Sequence, residues 1–123
     1  MARGFTLIEL LVVMVIIATL LSIAAPRYLR GVDDARESAL KANLSTLREA
    51  IDQYHADHGK YPQALTDLVD KNYLRSVPVD PLTESDQTWQ TVPPADDAEA
   101  ASVYDVHSGA VGLSRLGEPY ANW

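Results

Sequence analysis

Between Phe5 and Ala25 the chain carries one charge, Glu9, in a stretch dominated by Leu, Ile, Val and Ala. No other feature limits the fold so strongly. About 20 helical residues at roughly 1.5 Å each cover the roughly 30 Å hydrocarbon core of a bilayer. The remaining residues, 26–123, hold 9 Lys/Arg and 16 Asp/Glu, a net of −7. The sequence therefore reads as an acidic, polar domain on an apolar stem, and 123 residues leave room for one such domain. An acidic surface argues against nucleic acid, which needs a basic footprint. With no cysteine, the fold uses neither a disulfide nor a thiolate metal site.

Three readings of the stem compete. A secretory signal peptide could be cut after Ser22-Ile23-Ala24, but its basic region would be only "MARG", Glu9 interrupts its start, and Pro26 follows at once. A plain membrane anchor gains nothing from charge asymmetry, since Arg3 lies on one side and Arg27 and Arg30 on the other. Neither reading accounts for Glu9. A carboxylate in the middle of a membrane helix costs roughly 2.5–3.5 kcal/mol on insertion scales.

The third reading rests on "GFTLIEL", Gly4 to Leu10, with the apolar run that follows. This stretch resembles the cleavage motif of type IV prepilins and of the pseudopilins of type II secretion. The resemblance implies a leader of residues 1–4, cut by prepilin peptidase between Gly4 and Phe5, with N-methylation of the new Phe5 amine. Glu9 then stands where the family places its glutamate, and Pro26 where it often has a helix-bending proline. In a filament, Glu9 of one subunit is expected to meet the Phe5 amine of its neighbour, an attraction far stronger in an apolar surround than in water. Glu9 can also serve its own helix start, where partial positive charge favours a carboxylate. Either role, or both, fits the residues.

Beyond Pro26 a helical pattern resumes. Leu40, Leu44, Leu47, Ile51 and Tyr54 recur at steps of four and three and mark one apolar face. Glu37–Lys41 and Arg48–Asp52 stand at i,i+4 and are expected to pair on the exposed face. Gly59 is the expected stop. The helix is thus predicted from about Phe5 to about His58, on the order of 80 Å at 1.5 Å per residue. Pro26 removes one backbone hydrogen bond, so a bend or local melting is expected near Ile23–Ala25.

The rest reads as a compact cap. Ala64, Leu65, Leu68 and Val69 after Pro62 predict a short helix. "VPVDPLTESDQ" is a loop, and Trp89–Val92 a short strand. "SVYDVH" and "AVGLSR" alternate around "HSGA", residues 107–110, which predicts a hairpin turn there. A small antiparallel sheet packed on Leu40–Tyr54 follows.

The segments "YHADHGKYPQALTDLV", "VPVDPL" and "YDVHSGA…NW" sharpen the resemblance toward the major pseudopilin of type II secretion, the G subunit. Major type IV pilins usually have a C-terminal disulfide loop, which this chain cannot form. The G subunit typically ends in an acidic, glycine-rich loop that binds calcium. The matching tail here, "SGAVGLSRLGEPYANW", has Glu118 as its only acid. Calcium takes six to eight oxygen ligands, several from carboxylates. No cofactor is therefore expected, with calcium at Asp96, Asp97 and Glu99 as the weaker alternative.

No catalytic constellation emerges. His55 and His58 at i,i+3 could face a metal, but no third ligand accompanies them, and surface histidines at a helix end are the plainer reading. His107 beside Ser108 lacks an orienting acid and an oxyanion hole. Trp89 and Trp123 read as core or subunit-contact residues.

The expected fold is α+β and pilin-like: a long N-terminal helix, membrane-spanning in its first half, packed in its second half against a short helix and a small antiparallel sheet. The resemblance implies residues 1–4 as the leader, 5–29 as the transmembrane and assembly helix, and 30–123 as a soluble periplasmic domain. The chain is expected to be a non-enzymatic, single-pass inner-membrane protein of a bacterium. The implied partners are its own copies in a filament, prepilin peptidase, an inner-membrane assembly platform, minor pseudopilins and the lipid bilayer. A type IV pilin of a surface fibre, or a lone membrane-anchored binding domain, is the alternative.

Overall fold

The computed structural model describes residues 3–95 and 101–123. A single helix, α1 (Leu7–His58), crosses two compact units, residues 1–35 and residues 36–123. It runs without a break through Pro26, so the local melting expected near Ile23–Ala25 does not occur. At the far end the Gly59 N–H donates to the His55 carbonyl at 2.8 Å, and Gly59 adopts φ +71°, a left-handed conformation that terminates a helix at little steric cost in glycine.

In residues 36–123 the predicted apolar face is the core. Leu40, Leu44, Leu47, Ile51 and Tyr54 are buried, joined by Ala50. Burying each leucine or isoleucine contributes roughly 1.5–3 kcal/mol. Against this face pack Leu68 of α2 (Leu65–Asp70), then Trp89, Val103 and Val106. The α2 start is fastened by Asp67, whose Oδ2 accepts from the Gln63 and Ala64 N–H groups at 2.9 and 3.3 Å. Trp89 is held by its indole N–H, which donates to the Pro78 carbonyl at 2.8 Å.

Among the described residues the sheet has two strands, β1 (Gln90–Val92) and β2 (Asp105–His107), paired antiparallel with Thr91 opposite Val106. The hairpin predicted around residues 107–110 is therefore wrong: β2 pairs backward with β1, and residues 110–115 form no strand. The cause lies in the polar residues read as turn signals. Ser108 is buried and its hydroxyl donates to the buried Asp80 carboxylate. Gly109 lies so close to the Thr88 carbonyl that a Cβ would stand 2.0 Å from its oxygen. "HSGA" is thus an inner crossing of the chain rather than a solvent turn.

Asp80 also accepts from the Leu82 N–H at 2.8 Å, which closes the "VPVDPL" loop. A short 3-10 turn, Tyr120–Asn122, completes the unit.

Candidate functional site

Gly4, Phe5 and Glu9, the residues expected to serve processing and assembly, lie at or just before the open start of α1. Residues 3–6 precede the helix, nothing lies within 4 Å of a Cβ built on Gly4, and Phe5 is 88% exposed. From Leu7 onward the stem is exposed on every side; an 18-residue window has a mean hydropathy of 2.8 and no buried residue. Its hydroxyls are satisfied within the helix: Thr19 Oγ1 donates to the Val15 carbonyl and Ser22 Oγ to the Ala18 carbonyl, each at 2.8 Å. A helix that satisfies its own polar groups and bares its apolar ones suits lipid or other apolar helices.

Glu9 and Thr6 form a reciprocal cap. The Thr6 N–H donates to Glu9 Oε2 at 3.0 Å, and the Glu9 N–H donates to Thr6 Oγ1 at 3.2 Å. Two otherwise unpaired donors at the helix start are satisfied, in the pattern Thr-x-x-Glu. The role of Glu9 at its own helix is thus present in the single chain. Sequence reasoning did not single out Thr6, although Thr6-Leu7-Ile8-Glu9 spells the capping pattern. Pro26 sits inside α1, where its nitrogen has no hydrogen to donate.

The other candidates have structural neighbours. His55 stacks on Tyr61 with ring centroids 4.1 Å apart, and His58 stacks on Tyr54 at 4.2 Å. Each imidazole is thus engaged by its own tyrosine. The Tyr73 hydroxyl donates to Asp57 Oδ2 at 2.6 Å. That hydrogen bond to a carboxylate, with lesser help from desolvation and from the Asp57 charge, pushes the Tyr73 phenol up to about 12. His107 Nδ1 lies 3.1 Å from the Trp123 carbonyl, whereas Ser108 turns to Asp80, so the two do not act as a base and nucleophile. No group of three or more His, Cys, Asp or Glu suited to a metal occurs among the described residues. Asp96, Asp97 and Glu99 lie outside them.

The charged face of α1 differs from its reading as a solvated surface. Glu37 accepts at Oε1 from the Arg115 N–H and the Tyr120 hydroxyl, both at 2.9 Å, rather than pairing with Lys41. Lys41 instead places Nζ 4.7 Å from the centroid of the Trp123 ring. Arg48 donates from Nε to Asp105 Oδ1 at 2.8 Å and from Nη2 to the Val106 and Trp123 carbonyls, rather than to Asp52. The expected i,i+4 pairs give way because this face meets the C-terminal tail.

A bare apolar helix headed by a capped glutamate, on an α+β domain with a two-stranded sheet, defines a pilin-like subunit, and residues 1–25 match the prokaryotic N-terminal methylation motif. Residues 27–108 match type II secretion system protein G, and the chain belongs to that family. It is 28% identical to type II secretion system core protein G of Klebsiella michiganensis, over 98% of this chain and 92% of that protein. It is 34% identical to the protein of that name from Pseudomonas aeruginosa, over 63% of this chain and 66% of that protein. The Escherichia coli K12 protein of that name is 32% identical over 64% of this chain and 66% of its own length. No solved structure matches. The family is a structural pseudopilin of the secretion machinery, not an enzyme.

Proposed function

We infer that the chain is cut by prepilin peptidase between Gly4 and Phe5, methylated on the Phe5 amine, and assembled through its stem into a periplasmic pseudopilus that supports protein export. The observation that carries this reading is Glu9 at the head of a stem with no buried residue. Before assembly the carboxylate caps its own helix. Cleavage creates a cation at Phe5, and in a filament Glu9 of one copy pairs with that amine on the next. Lipid solvates the stem of the free subunit, and neighbouring stems replace lipid in the fibre. The inner-membrane platform and minor pseudopilins fit the same scheme as partners that start and drive growth. The soluble domain stands in the periplasm, and the stem crosses the inner membrane once.

No resident cofactor is part of this reading. Support comes from the tail sequence "SGAVGLSRLGEPYANW", whose only acid is Glu118, too few carboxylates for calcium. Calcium at Asp96, Asp97 and Glu99 is the competing reading.

Mass spectrometry of the native protein tests the processing step, and electron microscopy of cells with the outer membrane opened, with and without the secretion apparatus, tests assembly. The expected result is a mature chain beginning at methylated Phe5, with fibres that depend on the secretion apparatus. A native N-terminus at Ala25 or Pro26 would instead show an ordinary signal peptide. Solitary monomers after mild detergent extraction, with no crosslinks through residues 5–30, would show a lone anchored domain. Long surface fibres that form without the secretion apparatus would show a type IV pilin.

A further inference from the structure

Two cations stand where the apolar stem ends. From Leu7 to Pro26, α1 runs for about 20 residues, or about 30 Å at 1.5 Å per residue, which equals the hydrocarbon thickness of a bilayer. A stem that enters at Leu7 therefore brings the next turn, Arg27-Tyr28-Leu29-Arg30, to the far membrane surface. All four side chains are exposed, Tyr28 at 73%. Tyrosine is favoured at that depth, where its ring meets the acyl boundary and its hydroxyl meets water. Arginine lays its alkyl chain along lipid while its guanidinium reaches the headgroups.

Local partners do not account for the pair. Arg27 and Arg30 are three residues apart on one helix, so they are neighbours on its surface, and like charges so placed repel. One turn from Arg27 on either side stand Ile23, Ala24, Arg30 and Gly31, none of them acidic. Asp33 and Asp34 follow Arg30 toward the C-terminal end of the helix, yet among the described residues neither arginine is in an ion pair. With the soluble domain in the periplasm, cations at this end also oppose the rule that keeps Lys and Arg on the cytoplasmic side. A pair that repels internally and works against its own insertion calls for an anion that offsets both effects.

We propose that Arg27 and Arg30, with Tyr28 beside them, bind the phosphate of an anionic phospholipid headgroup where the stem leaves the inner membrane. A planar guanidinium presents paired N–H donors that match two oxygens of one phosphate. A zwitterionic headgroup brings its own cation to the site, whereas an anionic one leaves the arginines neutralised, so the anionic lipid is preferred. The contact fixes the depth of the free subunit. Sliding outward pulls the guanidinium groups off the phosphates, and sliding inward drives them into hydrocarbon, where a charge is costly. The inference rests on the single membrane crossing proposed above.

The test uses the full chain with carbon-13 at the arginine guanidinium carbons, in an Arg3→Gln background that removes the arginine at the opposite end of the stem. The protein is reconstituted in vesicles of equal parts phosphatidylglycerol and phosphatidylcholine, and solid-state NMR reads transfer from guanidinium carbon to lipid phosphorus. Transfer to phosphatidylglycerol should exceed transfer to phosphatidylcholine by about tenfold or more. Arg27→Gln combined with Arg30→Gln should remove it, while Arg75→Gln, at an exposed arginine of the other unit, should leave it unchanged. Equal transfer to both lipids, no transfer to lipid phosphorus, a signal that survives the double variant, or an equal loss in Arg75→Gln overturns the proposal and leaves the membrane reading standing. So does transfer of the same strength to inorganic phosphate added to vesicles of phosphatidylcholine alone. Protein stripped from the vesicles by alkaline carbonate overturns both, since the stem would then not cross a bilayer.

Discussion

The Tyr120 hydroxyl donates to Glu37 Oε1 at 2.9 Å across 83 residues of sequence. The same oxygen takes the Arg115 N–H, so one carboxylate on α1 fixes the tail at two points. A tail fastened this way should not need a cation. Residues 30–123 are expected to melt at nearly the same temperature in chelator and in millimolar calcium. A ligand at about 100 times its dissociation constant adds roughly 2.7 kcal/mol, or about 10 °C or more for a domain of this size. A shift that large would point to Asp96, Asp97 and Glu99. Glu37→Ala should cost roughly 1–2 kcal/mol by leaving two donors without their acceptor.

Arg48 separates the tertiary reading of its face from the local one. Its guanidinium binds Asp105 and two carbonyls, and Arg48 and Asp105 side chains are 37% and 31% exposed. Solvent screening trims the ionic part, so Arg48→Ala should cost about 1–3 kcal/mol, mostly through lost hydrogen bonds. Asp52→Ala should stay within about 0.5 kcal/mol, as for other surface substitutions. Urea melts of both variants check this. Equal losses would restore the Arg48–Asp52 pair.

Tyr73 gives a pH signature. Its phenol is raised from 10.0 to about 12, chiefly by its hydrogen bond to Asp57. A raised value in the folded state means that the folded protein keeps the proton longer than the unfolded chain. The stabilisation is complete below pH 10.0 and is lost as pH rises through about 12. Ultraviolet titration of phenolate should show one tyrosine titrating late, and Tyr73→Phe should remove it. Asp57→Asn should return that tyrosine toward the ordinary range. A late phenolate that survives Tyr73→Phe would assign the effect to another residue.

Periodicity made the long helix and its core face legible. Leu40 to Tyr54 repeat at helical spacing, Gly59 marks the stop, and both elements stand where the pattern put them. The short helix and first strand were legible for similar local reasons. The hairpin at residues 107–110 was not, because Ser and Gly there answer to distant groups, Asp80 and Thr88. The charge pairs on α1 failed in the same way. Glu37, Lys41 and Arg48 have good partners one turn away, yet the tail arrives from more than 70 residues off and takes them. Local spacing carries no information about such partners. At the stem the reverse holds: the Thr6–Glu9 cap is local and is spelled out by Thr6-Leu7-Ile8-Glu9 alone.

That cap sharpens the central test. Glutamine can fill the Glu9 position in a capping box, so Glu9→Gln keeps the helix start and removes only the charge. Thr6→Ala does the converse: it removes the hydroxyl acceptor and keeps the carboxylate. If Glu9 pairs with the Phe5 amine of the next subunit, both variants should insert and be processed. Only Glu9→Gln should then lose its ionic partner, in a setting where stranding a buried charge costs roughly 3–5 kcal/mol, equivalent to a hundredfold or more in assembly. The decisive measurement is the immunoblot ratio of filament, pelleted after opening the outer membrane, to membrane fraction for Glu9→Gln against the parent. The expected result is processed monomer held in the membrane with almost no filament; filaments at the parental level would show that the carboxylate serves only its own helix.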